Sequence, residues 1–212
     1  DTFSKLRARG LARAMANTKQ VKAADVFNNG FSTAPAYVGG DGVAFFSASH
    51  PTVSDSIQSN LAAAADLSEA ALETIITNIQ KIKDDRGILI GANAVSLHIP
   101  PDLWSTADQI LHSPGTTVAG GSGDGTYAQN NINAVRHMGM IPEGFMVNRR
   151  FTDTNAYFIK TDVPNGAKMF VRVPLQTKME PDFDTGNLRF KARERYSFGF
   201  SDWRSYVGSQ GT

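Results

Sequence analysis

The sequence from residue 187 to residue 201, NLRFKARERYSFGFS, alternates between apolar and basic side chains over almost its whole length. Successive side chains of a β-strand point to opposite faces, so this alternation predicts a strand with one apolar and one basic face. The predicted strand is roughly twice the usual five or six residues. With the turn residues at 184–187 and a second alternating stretch at 168–173, it predicts a long β-hairpin over residues 168–200.

The two faces of this strand have different chemistry. The apolar face is interrupted by one acid, Glu194, and the opposite face carries four basic side chains, which repel each other unless negative charge lies nearby. We expect this basic stripe to contact the acidic surface of a neighbouring subunit or nucleic acid; the alternative is a face covered only by solvent. The apolar row is Leu188, Phe190, Ala192, Tyr196, Phe198 and Phe200, and the basic stripe is Arg189, Lys191, Arg193 and Arg195.

Residues 1–28 predict one long helix, since they include many alanines, no proline and a glycine only at position 10. Leu11, Met15 and Thr18 share one helix face at i, i+4, i+7 spacing. This apolar face is narrow for so long a helix, which predicts a helix lying across the surface of its own subunit. Basic side chains occupy the other faces: Lys5, Arg7, Arg9, Arg13, Lys19 and Lys22.

The middle of the chain mixes helical and strand patterns, so the fold class is predicted to be α+β. A helix is expected after Asp66 as N-cap, with Glu69 as its capping-box partner, and another is expected from Pro100–Pro101. Residues 31–60, with an apolar group at 43–46, are predicted to be loops with one short strand or hairpin. Short strands are predicted near residues 94–99, 145–148 and 156–160, and a short turn or helix at 133–138. The helices are expected to bury Leu67, Leu72, Ile75, Ile76, Ile79, Ile82, Leu103, Trp104, Ala107, Ile110 and Leu111.

A glycine-rich segment lies at residues 118–129, VAGGSGDGTYAQ. A Walker loop requires Lys followed by Ser or Thr after its last glycine, but Thr126–Tyr127 follow here. A dinucleotide-binding loop follows a strand, whereas a predicted helix precedes this segment. We interpret the segment as a mobile surface loop. The alternative is that the chain is a small nucleotide-binding enzyme that uses this loop, which nucleotide-binding measurements would test. Its central residues are Gly120, Gly121, Gly123, Asp124 and Gly125.

Composition excludes several classes of function. The 212 residues carry 21 basic and 20 acidic side chains, so the chain is not a polycation built for nucleic acid. The absence of cysteine excludes disulfides, thiolate zinc sites and a cysteine nucleophile. No apolar run is long enough to span a bilayer and no signal peptide is recognisable. Because the sequence opens without Met in a helical pattern, we expect further protein sequence before it.

The candidates for catalysis and metal binding are weak. The four histidines, His50, His98, His112 and His137, are scattered, and no HExxH sequence occurs. The Ser49-His50-Pro51 sequence lacks the GxSxG elbow of serine hydrolases, and a turn at Pro51 accounts for it better. The carboxylate pairs at 84–85 and 182/184 fit solvated turns. We therefore predict no catalytic residue, no cofactor and no bound metal.

Five stretches, in order, resemble the major capsid proteins of tailed bacteriophages with the Hong Kong phage-type shell fold. They are GDGVAFFSASHPT (40–52), SNLAAAADLSEAALE (59–73), VSLHIPPDLWSTADQIL (95–111), TDTNAYFIKTDVP (152–164) and YSFGFSDWRSYVGS (196–209). The resemblance implies a peripheral domain of residues 1–60 and 166–212, containing a spine helix (1–28) and the long hairpin (168–200). It implies an axial domain of residues 61–165, with a central sheet flanked by helices and the glycine-rich loop near the capsomer axis. The N-terminal arm and extended loop of the family have no counterpart in this sequence.

The resemblance implies a structural shell protein rather than an enzyme. Its copies would assemble in the host cytoplasm into pentamers and hexamers of an icosahedral virion head around double-stranded DNA. Expected partners are other copies of the chain, scaffolding, portal or decoration proteins, and DNA in weak non-specific contact, but no membrane. An encapsulin-like nanocompartment shell is the alternative. Expected subunit-interface residues are Lys5, Arg7, Arg9 and Arg13 together with the basic stripe.

Overall fold

The computed structural model describes residues 2–54, 56–115, 132–181, 183–184, 186 and 188–212, with side chains from residue 6 onward. Helices and strands are mixed along the chain, as predicted for an α+β protein. The helices are α1 (Thr2–Asn28), α2 (Glu69–Gln80), α3 (Trp104–His112) and α4 (Ala134–His137), with 3-10 turns at Pro101–Leu103 and Trp203–Ser205. The strands are β1 (His50–Pro51), β2 (Ile57–Gln58), β3 (Ala94–Ile99), β4 (Phe145–Val147), β5 (Tyr157–Thr161), β6 (Ala167–Pro181), β7 (Leu188–Phe200) and β8 (Tyr206–Ser209).

The main core lies between a four-stranded sheet and the helices α2 and α3. The strand order is β4-β3-β5-β8, in which β3 and β4 run parallel and the other pairs antiparallel. Strand β8 joins this sheet through pairs such as Ile159 with Val207. A strand from the segment that we placed with the hairpin thus crosses into the predicted axial domain. The helices contribute Leu72, Ile75, Ile76, Ile79, Ala107 and Ile110 to the core.

A second, aromatic core fixes the C-terminal end of α1 to this sheet. The ring centres of Phe27 and Phe158 of β5 are 5.3 Å apart, and those of Phe46 and Phe158 are 4.9 Å apart. Phe45 stacks at 4.2 Å on Phe200, the last residue of β7. The helix, the sheet and the base of the hairpin therefore meet in one cluster of rings.

The long hairpin is confirmed and extends further than predicted on its first strand. Strands β6 and β7 pair antiparallel from Ala167–Phe200 to Pro181–Leu188, with register shifts at Val173. Helix α1 lies across this two-stranded ribbon and contacts β7, as the narrow apolar face predicted. None of the helices in the described ranges has an apolar stretch long enough to cross a membrane.

Two local predictions were wrong. The N-cap of α2 is Ser68, whose Oγ accepts the N–H of Ala71 at 3.2 Å. Asp66 instead accepts a hydrogen bond from the hydroxyl of Thr212 at 2.8 Å, because the C-terminus packs there. Trp104 is 57% exposed, since α3 turns only its Ala107–Ile110 side to the core. The short hairpin predicted within residues 31–60 is confirmed at β1 and β2, whereas Phe45 and Phe46 pack into the aromatic core.

Candidate assembly interface

The junction between α1 and the hairpin explains the one acid in the apolar row of β7. The carboxylate of Glu194 lies 2.6 Å from Lys19 Nζ of α1, and its side chain is only 7% exposed. The same ammonium group lies 5.2 Å from the centre of the Tyr196 ring. The acid is therefore placed in an apolar row because it pairs with a cation on the helix that covers that row.

The helix covers the hairpin only in part. A groove of about 310 Å³ remains between the N-terminal half of α1 and the far half of the hairpin. Leu11, Leu175 and Met179 line this groove and are all exposed. Exposed apolar side chains in one place are characteristic of surfaces that bind another protein.

The basic stripe alternates along β7 with the row that contains Glu194, and all four of its side chains are exposed. Lys191 stands directly opposite Lys178 of β6, whereas Arg189 stands opposite Glu180. In the described part of the chain, no carboxylate lies within 4.0 Å of Lys191, Arg193 or Arg195. Lys191, Arg193 and Arg195 thus carry positive charge that no described carboxylate of their own subunit neutralises at close range.

The other predicted interface residues are placed only in part. Arg7, Arg9 and Arg13 are exposed on α1. The side chain of Lys5 and the whole glycine-rich segment Gly120, Gly121, Gly123, Asp124 and Gly125 lie outside the described residues. The roles of all these residues stay predictions.

A buried polar cluster around His50 was not predicted. The His50 ring is fully buried, with Nδ1 2.7 Å from Asp41 Oδ2 and Nε2 2.9 Å from Asn60 Oδ1. It stacks on Trp203 with ring centres 4.3 Å apart. Because both ring nitrogens face these partners, neither is directed at the hydroxyl of Ser49. The cluster is a structural link between the stretches at 40–52, 59–73 and 196–209, whose irregular spacing gives no periodic signal.

Arg204 extends this link to the turn after α2. Its guanidinium group lies 2.5 Å from Asp85 and 3.4 Å from Asp202, and its Nε donates to the carbonyl of Lys83 at 2.9 Å. The guanidinium also lies 4.4 Å from the Trp203 ring, on which it makes a cation–π contact. Asp85 is therefore an exposed turn residue, as predicted, that also forms an ion pair with Arg204.

Two further titratable candidates, Asp84 and His98, have pKa values that are shifted by their surroundings in the fold. Asp84 accepts the backbone N–H groups of Ile88 and Arg86, and these hydrogen bonds lower the pKa of its carboxyl group. Burial, together with the nearby charge of Lys160, lowers the pKa of His98 to about 4. Among the residues that the structure describes, no group of His, Asp or Glu is arranged to hold a metal ion.

A family model described as phage capsid protein matches residues 1–208. The chain belongs to this phage capsid protein family. The capsid protein is also similar to a solved structure described as the capsid of an empty GTA particle computed with C5 symmetry, at 14% identity and a TM-score of 0.48. That similarity covers 96% of this chain and 64% of the other, so the chain spans less than two thirds of its length. A search of curated proteins gave no significant match.

Family membership gives the exposed surfaces a context. A capsid protein is a structural component of the virion, and its work is done by contacts between subunits. The capsid protein described here leaves apolar and basic surfaces of its helix and hairpin uncovered. These surfaces, rather than a catalytic pocket, are the candidate functional site.

Proposed function

We propose that this capsid protein is the repeating subunit of an icosahedral head, in which copies associate as pentamers and hexamers around double-stranded DNA. The observation that carries the proposal is the match of the phage capsid family over residues 1–208. Copies in such a shell contact each other through heterologous surfaces that close into rings. Individually modest contacts are sufficient, because every copy makes several of them.

The exposed apolar side chains of the hairpin support this proposal. A two-stranded ribbon is at best marginally stable when nothing covers it. Here Phe170, Val171 and Met179 remain exposed on the first strand, β6, although α1 covers part of the ribbon. Burying such side chains stabilises a contact by roughly 25 cal/mol per Å² of apolar surface. We therefore infer that neighbouring copies cover the hairpin in the shell.

The same arrangement includes a division into two domains. We propose that residues 1–60 and 166–212 form the peripheral domain and residues 61–165 the axial domain, with the difference that β8 pairs with β5 and so adds a strand to the axial sheet. In this arrangement Arg7, Arg9, Arg13 and the basic stripe lie at contacts between subunits. The glycine-rich loop lies near the capsomer axis, where glycine allows the different backbone conformations that five-fold and six-fold rings require.

Further partners are proposed on charge and context. The exposed cations Lys191, Arg193 and Arg195 suit weak, sequence-independent contact with packaged DNA as well as contact with another subunit. Scaffolding, portal and decoration proteins are proposed as further partners, with assembly in the host cytoplasm. The proposed shell requires no catalytic step.

The experiment is to express the complete natural protein and examine it by light scattering and negative-stain electron microscopy. We expect closed shells with five-fold and six-fold capsomers. Particles purified from infected cells are then treated with nuclease, and protected double-stranded DNA is expected inside them. A protein that stays monomeric under all assembly conditions contradicts the proposal, and shells that hold protein cargo instead of DNA indicate a nanocompartment.

A further inference from the structure

Three consecutive apolar residues project from the turn between α2 and β3. Ile88, Leu89 and Ile90 are 64%, 60% and 42% exposed, between Gly87 and Gly91. A run of three exposed apolar side chains disfavours a soluble surface unless the run binds something. We call residues 88–90 the apolar knob.

The knob is held in one conformation by its own backbone contacts. Asp84 N–H donates to the Ile88 carbonyl at 2.8 Å, and Ile90 N–H donates to the Ile82 carbonyl at 3.1 Å. Gly87 and Gly91 have φ of +87° and +72°, which lets the chain turn sharply on either side. A rigid binding element loses little conformational entropy when it docks, so the knob is pre-organised for binding.

Positive charge surrounds the knob. Lys81, Lys83 and Arg86 are exposed, and no carboxylate in the described ranges forms an ion pair with them. The two acids of this turn are already engaged, because Asp84 accepts backbone N–H groups and Asp85 pairs with Arg204. A surface that receives the knob should therefore be apolar with negative charge at its rim.

The free edge of the four-stranded sheet is apolar, with two acids and the exposed Arg149 beside it. Strand β4 is the outermost strand on its side, and its Met146 is 61% exposed, with Val147 also exposed. Glu143 precedes the strand, and Asp102 follows the end of the neighbouring β3; both are exposed, and neither forms an ion pair with a described residue. We call Met146 and Val147 with these two acids the β4 edge.

The turn that carries the knob and the β4 edge are joined to opposite margins of the four-stranded sheet. Arg204, in the 3-10 turn before β8, binds the turn that carries the knob. Strands β8 and β4 are the two outer strands of the sheet, separated by β3 and β5. Three strand spacings place them roughly 14 Å apart. Complementary surfaces on different sides of a subunit are the requirement for a head-to-tail contact that closes into a ring.

We propose that the apolar knob of one copy docks on the β4 edge of the next copy in the capsomer ring. The proposal rests on the proposed function, since it assumes that copies form rings. Apolar contact between Ile88–Ile90 and Met146–Val147 supplies the burial, and the cations of the knob face Glu143 and Asp102.

The test uses the absence of cysteine in the described sequence. The complete natural protein carrying both Ile88→Cys and Met146→Cys is assembled and treated with a short bis-maleimide. Each copy then bridges to the next, so denaturing gels are expected to show a ladder up to five or six linked copies. The two single-cysteine variants are the controls, and neither is expected to give products beyond the dimer.

The outcomes separate the two proposals. If wild-type particles form but the double variant shows only the products of the single variants, the docking proposal is wrong and shell formation stands. If the wild-type protein never assembles, the proposed function fails and the docking proposal fails with it. Ile88→Asp, at an exposed position, should retain the wild-type melting temperature while reducing particle yield at least tenfold; normal yield from this variant also overturns the docking proposal.

Discussion

At the scale of single residues, the amide of Asn60 joins segments that are far apart in sequence. Its Nδ2 donates to the carbonyls of Phe45, Trp203 and Tyr206, and its Oδ1 accepts the N–H of Ser47. The side chain is fully buried, so water cannot replace these partners. One amide therefore fixes the aromatic loop relative to the C-terminal segment.

Replacing Asn60 by Ala is expected to destabilise the fold strongly. The substitution removes the hydrogen bonds to three carbonyls and leaves Nε2 of the buried His50 without its partner, which should lower the free energy of unfolding by about 2–4 kcal/mol. Urea denaturation followed by circular dichroism measures the change. The control is Ser49→Ala at a nearby exposed position, for which we expect a change within about 0.5 kcal/mol. Equal stability of the two variants would show that the cluster is not a structural link.

Because His98 is largely buried, we expect the folded protein to lose stability in acid through this one side chain. Burial lowers its pKa in the folded protein to about 4, from the ordinary value of 6.5. Between these values the unfolded chain binds a proton that the folded chain does not, so the free energy of unfolding falls as the pH drops. We expect His98→Gln to remove about 2 kcal/mol of this loss between pH 7 and pH 4.5.

The measurement for His98 is denaturant unfolding of both proteins at the two pH values. Carboxylates titrate in the wild type and in His98→Gln alike, so the difference between the two proteins isolates the histidine. His112→Gln is the control, since His112 is an exposed side chain at the end of α3. A parallel decline of stability in wild type and His98→Gln would contradict the prediction.

At the scale of elements, α1 depends on contacts at two places. Its C-terminal end is fixed by the packing of Phe27 in the aromatic core. Its middle is joined to β7 by the Lys19–Glu194 ion pair. Between and beyond these points most of the helix surface is exposed. Long-range contacts rather than helix propensity therefore keep α1 on the hairpin.

Removing the acid of this pair is expected to loosen α1 while leaving the sheet unchanged. Lys19 is about one third exposed, so solvent screening reduces the effect of the pair. We expect Glu194→Ala to lower the free energy of opening of α1 amides by about 1–2 kcal/mol. Hydrogen exchange resolved by element measures this. Arg195→Ala, on the opposite face of the same strand, is the matched control, and equal exchange in both variants would argue against the pair.

At the scale of the whole molecule, charge is unevenly distributed. Residues 61–165 carry seven basic and eleven acidic side chains, whereas the rest of the chain carries fourteen basic and nine acidic ones. The helix and hairpin are thus positive and the middle of the chain is negative. Opposite charge on two parts of one subunit favours attraction between copies at low salt.

Reversing one charge of the basic stripe is expected to weaken assembly without affecting the fold. Arg193 is exposed and lies opposite Gln176, so Arg193→Glu leaves no buried group unpaired. We expect the critical concentration for assembly to rise about tenfold at low salt, equivalent to ~1.4 kcal/mol. The difference should shrink at high salt.

Light scattering across a concentration series measures this effect, with Arg193→Lys as the charge-conserving control. Normal assembly of Arg193→Glu combined with reduced DNA retention would place the stripe on the DNA rather than at a subunit contact. Normal assembly with normal DNA retention would show that the stripe faces only solvent.

Elements with a clear period were predictable from the sequence. Strand β3 was predicted with its observed bounds, and α1 and β7 were placed within a residue or two, because alternating or helical patterns reflect local geometry directly. The N-cap of α2 was misplaced because Asp66 and Ser68 are both good caps, and a distant residue, Thr212, binds the first of them. Trp104 was misjudged because a single helix period does not show how wide its buried face is.

By itself, the sequence determined the α+β class, the long two-faced hairpin, the exposed helix that crosses it and the resemblance to phage capsid proteins. Local alternation and helix periodicity contain that information, since each depends only on neighbouring residues. Only the tertiary structure shows that Glu194 lies in an apolar row because it pairs with Lys19. It also shows how His50, Asn60 and Arg204 join separate segments. Finally, it shows that Ile88–Ile90 project beside cations that have no ion-pair partner among the described residues. These features depend on residues far apart in sequence that only the folded chain brings into contact.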